Sequence, residues 1–206
     1  SGISPDDITL TRQGNSLYLA VDEDNRVMVS DYFKEHTKGG YILNEIRFAD
    51  GTSWDVDYIK AVVLIPTEVG DSIQGYENGE LLQGLAGNDN IVGHEGDDTL
   101  EGGLGDDSLN GSQGNDTYLY AKGDGNDVIS EGYRKGEVDI LRFDGSLTPA
   151  DVTLHRNQND LLLVIDDDNS VRVNNYFIRY QGYGHGIEEV QFSDGTVWSW
   201  AHIKEA

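Results

Sequence analysis

The sequence predicts an all-β protein in which a solenoid of parallel strands lies between two copies of a small β-meander. From Gly84 the chain repeats every nine residues, and a fixed short period is typical of a stacked repeat architecture. Residues 4–60 and 148–204 align without a gap at an offset of 144 and share 24 of 57 positions, so one module occurs twice. Both copies alternate apolar and polar residues in short runs, as half-buried strands do.

Each position of the nine-residue repeat has a physical reason. Glycines at the first and fourth positions allow positive φ and close backbone approach, so six residues can form a tight turn. The other three residues form a short strand whose apolar side chain, at the eighth position, points inward. Position one holds Gly84, Gly93, Gly102 and Gly111, and position four holds Gly87, Gly96, Gly105 and Gly114. Position six holds Asp89, Asp98, Asp107 and Asp116, and position eight holds Ile91, Leu100, Leu109 and Tyr118.

The sixth-position aspartates are predicted to form metal sites. If each nine is half a coil, every second nine stacks with its strand about 4.8 Å away, and the aspartates stack at the same spacing. That spacing is about twice a Ca²⁺–oxygen distance of about 2.3–2.6 Å. One calcium ion therefore fits between two stacked carboxylates, and turn carbonyls can complete its oxygen shell.

The four nines follow the pattern GGxGxDxUx and resemble the RTX family, the haemolysin-type calcium-binding repeats of proteins exported by type I secretion. This resemblance implies a right-handed parallel β-roll, calcium between the coils, and folding outside a Gram-negative bacterial cell. The expected function is a calcium-binding scaffold that folds on secretion within a larger protein. Its expected partners are calcium and the rest of the parent polypeptide.

The row of acidic residues is predicted to extend beyond the four regular nines. Asp71 keeps the sixth position upstream, whereas Glu80 replaces aspartate in the next nine, so occupation of that site stays undecided. Downstream, Asp127 follows Asp116 by eleven residues instead of nine. We expect about four calcium ions. The predicted metal-site residues are Asp71, Gly87, Asp89, Gly96, Asp98, Gly105, Asp107, Gly114, Asp116 and Asp127.

Composition limits the possible partners. The formal net charge is −24, and residues 66–130 hold 14 acidic residues against one basic residue, Lys122. Such acidity argues against nucleic acid or anionic lipid as a partner. Cysteine is absent, which excludes disulfides and thiolate metal sites, and no apolar run is long enough to span a bilayer. We expect the protein to be extracellular, secreted and monomeric. We do not expect this part of it to insert into a membrane.

The duplicated blocks resemble the haemolysin-type calcium-binding-related domain that accompanies RTX repeats. Each is predicted to hold about four strands, a hairpin turn at Asp24-Asn25 or its counterpart, a type I′ turn at Asp50-Gly51 or its counterpart, and a short final helix. The apolar run 61–66 is consistent with a buried strand. A solenoid exposes core and strand edges at its ends, so the blocks are expected to cap it. The predicted domains are 1–65, 66–130 and 131–206.

Other functions are less well supported by the sequence. The five histidines share no metal-ligand spacing, and no nucleophile elbow, phosphate loop or zinc-hydrolase motif occurs, so no enzymatic activity is expected. The acidic clusters 22–25 and 166–169 could hold a further calcium ion, but a hairpin turn explains them better. The alternative function is a carbohydrate- or surface-binding module of an RTX adhesin or extracellular enzyme. Its candidate contact residues are Trp200, Tyr180 and Tyr183, which the first block lacks.

Overall fold

The computed structural model is built almost entirely of short β-strands, which confirms the all-β fold class. It describes residues 2–33, 43–132, 134, 136–145, 147–178 and 186–204, so Tyr180 and Tyr183 lie outside the described residues. The chain divides into two units, Ser1–Ile65 and Pro66–Ala206. Among the described helices, none combines the length and the apolar character that crossing a bilayer requires.

The described residues of the first unit form five strands in two sheets. An antiparallel meander is followed by a separate hairpin and a helix, in which the Asp55 side chain accepts a hydrogen bond from the Tyr58 N–H and caps the first turn. Leu17, Trp54 and Ile59 are buried in its core. The elements are β1 (Thr9–Gln13), β2 (Ser16–Ala20), β3 (Arg26–Val29), β4 (Glu45–Arg47), β5 (Ser53–Asp55) and α1 (Val56–Val62).

The repeats fold into a β-roll whose strands alternate between two parallel sheets. These strands are β6 (Ser72–Gln74), β7 (Leu81–Gln83), β8 (Asn90–Glu95), β9 (Thr99–Glu101), β10 (Ser108–Gln113), β11 (Thr117–Tyr120), β12 (Asn126–Ile129) and β13 (Ile140–Phe143). Even-numbered strands stack in one sheet and odd-numbered strands in the other. Ile73 lies beside Ile91, and Leu82 beside Leu100, so each nine is half a coil as predicted. These eighth-position side chains are buried between the sheets.

The second copy of the module continues both sheets of the roll. Its β16 (Ser170–Val173) pairs in parallel with β12, and its β17 (Glu189–Gln191) pairs in parallel with β13. One sheet therefore contains seven strands and the other contains six. Both sheets extend from the first coil of the roll into the C-terminal module. The remaining elements of the chain are β14 (Thr153–Asn157), β15 (Asp160–Val164), β16 (Ser170–Val173), β17 (Glu189–Gln191), β18 (Val197–Ser199) and α2 (Trp200–Ile203).

Two expectations about local structure are wrong. The run 61–66 is not a buried strand: its first two residues end α1, helix-type hydrogen bonds continue to the Ile65 N–H, and Ile65 is 67% exposed. The turn at Asp50-Gly51 is not type I′, because only Gly51 of the two has positive φ, at 93°. Its N–H donates to the Phe48 carbonyl across a three-residue loop. Among the described residues, each module holds five strands, close to the predicted number: a three-stranded meander and a separate hairpin.

Candidate metal centre

Two ladders of acidic side chains run along the roll. At each rung, the backbone N–H of one acidic residue donates to a carboxylate oxygen of the acidic residue on the next coil of the same sheet. The donor–acceptor distances lie between 2.6 and 3.1 Å. The first ladder is Asp71, Asp89, Asp107 and Asp127. The second ladder is Glu80, Asp98, Asp116, Asp139 and Glu188.

The second ladder is longer than the sequence analysis predicted. The acidic residues predicted from the sequence end at Asp127, but the Asp116 N–H donates to Asp139 Oδ1 at 2.9 Å, and the Asp139 N–H donates to Glu188 Oε2 at 2.8 Å. These residues are separated by 23 and 49 positions, and neither interval is a multiple of nine, so the nine-residue period does not reach them. A local signal was present, because Asp139 precedes Leu141 as a sixth-position aspartate precedes its apolar eighth position.

Four ladder carboxylates each hold one buried oxygen without a hydrogen-bond partner. They are the Oδ2 atoms of Asp89, Asp98, Asp107 and Asp116, and each of these residues is at most 3% exposed. No described ion pair includes a ladder carboxylate. A buried anionic oxygen without a partner is costly, and a cation is the partner that removes the cost.

Oxygen atoms from neighbouring coils converge beside the first-position glycines. A Cβ atom on Gly93 would overlap Asp98 Oδ2 and would lie 2.7 Å from the Gly111 carbonyl oxygen of the next coil. The same holds for Gly84, where Asp89 Oδ2 and the Gly102 carbonyl converge. Glycine is therefore needed here because an unpartnered carboxylate oxygen occupies the space. A donor set of carboxylate and carbonyl oxygens suits calcium.

The fourth-position glycines hold the turns close together. Gly105 and Gly114 have φ of 138° and 132°, and a Cβ atom on either would overlap the carbonyl oxygen of the fourth-position glycine one coil earlier. Any other residue would therefore be strained in conformation and would also push the coils apart. These glycines set the stacking distance of the ladder, as the repeat pattern predicted.

The second position of the repeat also has a conformational requirement, which the sequence analysis missed. Leu85, His94, Gly103 and Ser112 all have φ between 73° and 91°. In the first two coil halves, the second-position N–H donates to the carboxylate: Thr67 donates to Asp71 Oδ2 at 2.7 Å, and Tyr76 donates to Glu80 Oε2 at 2.9 Å. The unpartnered oxygens thus begin at the third coil half, at Asp89.

Burial shifts the proton affinity of the ladder. It raises the pKa of Asp98 to about 7 and that of Asp107 to about 6, and the neighbouring carboxylates add to the rise. Burial also raises the pKa of Asp127 and of Asp139 to about 8, again with help from adjacent negative charges. Without a cation, the folded ladder therefore favours protons near neutral pH.

The fifth-position side chains are exposed, and those of Asp97 and Asp106 accept hydrogen bonds from the next coil of the same sheet. Asp97 Oδ1 accepts hydrogen bonds from the Asn115 N–H at 2.8 Å and from Asn115 Nδ2 at 3.0 Å. Asp106 Oδ1 accepts one from the Asn126 N–H at 2.9 Å. The hydrogen bonds from Asn115 lower the pKa of Asp97, which stays an ordinary surface carboxylate. An outer row of hydrogen bonds thus accompanies the buried ladder.

The other candidate sites do not gather ligands. Asp22 Oδ1 accepts hydrogen bonds from the Asp24 and Asn25 N–H groups, so this acidic cluster closes a hairpin turn. Trp200 packs against the rings of Tyr176 and Phe177, with centroids 5.6 and 5.9 Å away. Throughout the described part of the chain, no three His, Cys, Asp or Glu side chains group as a metal site. The ladder instead combines single carboxylates with carbonyls.

Comparison with known protein families matches both parts of the chain. The model described as RTX calcium-binding nonapeptide repeat matches four copies within residues 79–118. The chain carries an RTX repeat region. The model described as haemolysin-type calcium binding protein related domain matches residues 17–58 and 160–202. The RTX region therefore lies in sequence between two related domains, and it belongs to a repeat family that binds calcium.

Individual relatives share only parts of the chain. The iron-regulated protein FrpA of Neisseria meningitidis serogroup C is 37% identical over 79 residues, which are 38% of this chain and 7% of that protein. The AlgE6R3 subunit of an Azotobacter vinelandii mannuronan C5-epimerase is 22% identical, with a TM-score of 0.40 over 53% of this chain and 73% of that one. Serratia marcescens extracellular lipase LipA is 18% identical, with a TM-score of 0.42 over 89% and 31%.

Proposed function

We propose that this RTX segment is a calcium-triggered folding unit and scaffold within a larger secreted protein. The observation that carries the proposal is the set of four buried carboxylate oxygens without a hydrogen-bond partner, at Asp89, Asp98, Asp107 and Asp116. A fold that buries such oxygens in a row is self-repelling until a cation neutralises them. Calcium binding energy then becomes folding energy.

The residues that would hold calcium are the ladder carboxylates and the turn carbonyls beside them. The four unpartnered oxygens favour about four ions, the number expected from the sequence. Asp139 and Glu188 join the predicted set because they continue the same ladder. Asp71 and Glu80 are weaker ligands in this proposal, since a second-position N–H already binds the second oxygen of each. Bound calcium would supply positive charge between neighbouring coils.

The proposed site of folding is outside the cell. RTX repeat proteins are typically secreted, and extracellular calcium modules bind with Kd values of about 10⁻⁴–10⁻³ M. Cytosolic calcium lies well below that range, so the roll would stay unfolded before export and fold on meeting millimolar calcium. Export in an unfolded state suits a type I channel.

The two related domains are proposed to act as caps, with the domains divided at 1–65, 66–130 and 131–206. The C-terminal module is placed to nucleate the roll, because β16 and β17 lie directly against β12 and β13. In a solenoid, folding propagates from a stable end through nearest-neighbour contacts.

Circular dichroism of the whole chain in EDTA and in millimolar calcium tests the proposal. We expect a large gain of β-signal on calcium addition, and titration calorimetry should count about four ions. Magnesium at the same concentration is the control and should have little effect, because it requires a rigid octahedral site. Identical spectra in EDTA and calcium would contradict the proposal.

A further inference from the structure

The C-terminal module shows how this fold receives the end of a roll. β16 adds in parallel to β12, with Val171 beside Asp127 and Val173 beside Ile129. The Ser170 N–H donates to the Gly125 carbonyl, and the Asn174 N–H to the Ile129 carbonyl. β17 adds to β13 in the same way. Four apolar residues of the module are buried to 1% exposure or less at and beside these strands. They are Val171, Val173, Ile187 and Val190.

In the N-terminal module, the matching surface is open. β3 and β4 correspond to β16 and β17 at the offset of 144, and in the described residues they pair only with β2 and β5. Val27 is 62% exposed where Val171 is 1% exposed, and Leu43 is 38% exposed where Ile187 is fully buried. Val29 and Ile46 are half-buried, whereas their counterparts are fully buried. The module cores do not differ in this way: Trp54 and Trp198 are each 6% exposed.

A polar contact point is also preserved. In the C-terminal module, Asn169 Nδ2 donates to Asp166 Oδ1 at 2.6 Å, and Asn169 Oδ1 accepts a hydrogen bond from the Gly123 N–H of the last loop of the roll. In the N-terminal module, Asn25 Nδ2 donates to Asp22 Oδ1 at 2.8 Å. Asn25 is therefore oriented within its turn by the same contact, but it is exposed whereas Asn169 is buried.

We propose that the β3 and β4 edges of the N-terminal module receive the last two coil halves of a further calcium-binding β-roll, in the way that β16 and β17 receive β12 and β13. The interface at the C-terminal module identifies this occupant, because the same strands of the same fold are buried there by RTX coils. The roll would precede the module in the polypeptide, as residues 126–143 precede the C-terminal copy. This inference rests on the proposed calcium-dependent folding of the roll.

A fusion that supplies such a roll tests the inference. Residues 66–147 are placed ahead of residue 4 of the whole chain, so that Leu147 joins Ser4 as it joins Thr148 natively. Calorimetry should then count about twice as many calcium ions per molecule as in the unfused chain. In hydrogen exchange, the amides of Arg26 and Ser30, which match Ser170 and Asn174, should become at least about tenfold slower only in the fusion with calcium.

Two substitutions in the fusion distinguish specific packing of the added roll on the module from mere proximity. Val27→Arg should remove the added calcium, because a charge would enter the contact that Val171 makes in the other copy. Met28→Arg is the matched control and should retain it, since the counterpart of Met28 is the exposed Arg172. In the unfused chain, Val27→Arg should leave the calcium count unchanged.

The possible outcomes distinguish this inference from the proposed function. A fusion that binds no more calcium than the unfused chain, or equal binding by the Val27→Arg and Met28→Arg fusions, would overturn the inference alone. Slow exchange at Arg26 in the unfused chain would overturn it too, because another partner would then occupy the edge. Failure of the unfused chain to bind calcium would overturn both the inference and the proposed function.

Discussion

Replacing Asp98 by Asn should have opposite effects with and without calcium. The substitution keeps the oxygen that accepts the Glu80 N–H hydrogen bond at 2.8 Å, but it removes the negative charge and replaces the unpartnered oxygen by an amide nitrogen. The buried charge is the costly part of this site, so its removal should stabilise the calcium-free roll. The removed oxygen is a proposed ligand, so calcium should bind more weakly.

The magnitude follows from the shifted pKa of Asp98. Burial raises it from 3.8 to about 7. At 1.36 kcal/mol for each pKa unit, the charged form at pH 8 costs up to about 4 kcal/mol of folding free energy. The Asp98→Asn variant should recover part of that amount in EDTA. With calcium, we expect the concentration at the folding midpoint to rise by roughly tenfold, because affinity depends on the charge count of the ligands.

Circular dichroism can measure both effects on the whole chain. In EDTA at pH 8, titration with trimethylamine N-oxide brings the folding of the calcium-free chain into range, and the variant should fold at a lower concentration. Asp97→Asn is the matched control. The Asp97 carboxylate is exposed and has a lowered pKa, so the shift of each midpoint should correspond to less than about 0.5 kcal/mol of folding free energy. A calcium-free Asp98→Asn variant less stable than the native chain, or one with unchanged calcium affinity, would refute this account of the ladder.

Three further predictions concern pH, backbone conformation and the caps. Without calcium, the folded roll binds more protons than the unfolded chain, since burial raises the pKa of Asp107 to about 6 and that of Asp127 to about 8. Its stability should therefore be greatest in acid and should fall as pH rises from about 4, near the ordinary aspartate pKa of 3.8, to about 8, which a pH titration in EDTA would detect. Leu85 has a φ of 73°, which strains any residue except glycine, so Leu85→Gly should raise the stability of the calcium-bound form by about 0.5–1 kcal/mol in thermal unfolding. Leu81→Gly is the control, and it should lower that stability because Leu81 lies in a strand. Deleting residues 148–206 should weaken calcium binding by calorimetry far more than deleting residues 1–60, and equal losses would argue against nucleation by the C-terminal module.

The roll could be predicted from sequence because its period has one physical interpretation. Each regular nine places its apolar eighth residue inside and its sixth residue in the ladder, and all four regular aspartates lie where the repeat places them. Glu80 also takes its expected place in the ladder, but the sequence could not reveal that the Tyr76 N–H binds its second oxygen.

What the sequence did not reveal depends on contacts between residues far apart. Asp139 and Glu188 enter the ladder 23 and 49 residues after the preceding ladder residue, so a fixed period of nine cannot find them. The strand expected at 61–66 became the end of a helix, because a continuous apolar run carries no periodicity that separates the two structures. The open edge of the N-terminal module is visible only when the burial of Val27 is compared with that of Val171.

Successive strands of the roll alternate between two sheets. This alternation limits how many repeats such a gene can gain or lose. Gain or loss of a single nine would move every later strand to the opposite sheet. β12 would then no longer lie where β16 requires it, and the two acidic ladders would exchange places beyond the change. Residues 18 apart, such as Asp89 and Asp107, lie in the same sheet, at the same register and in the same ladder. Unequal recombination within the repeat therefore preserves a capped, correctly registered protein only when it adds or removes 18 codons at a time.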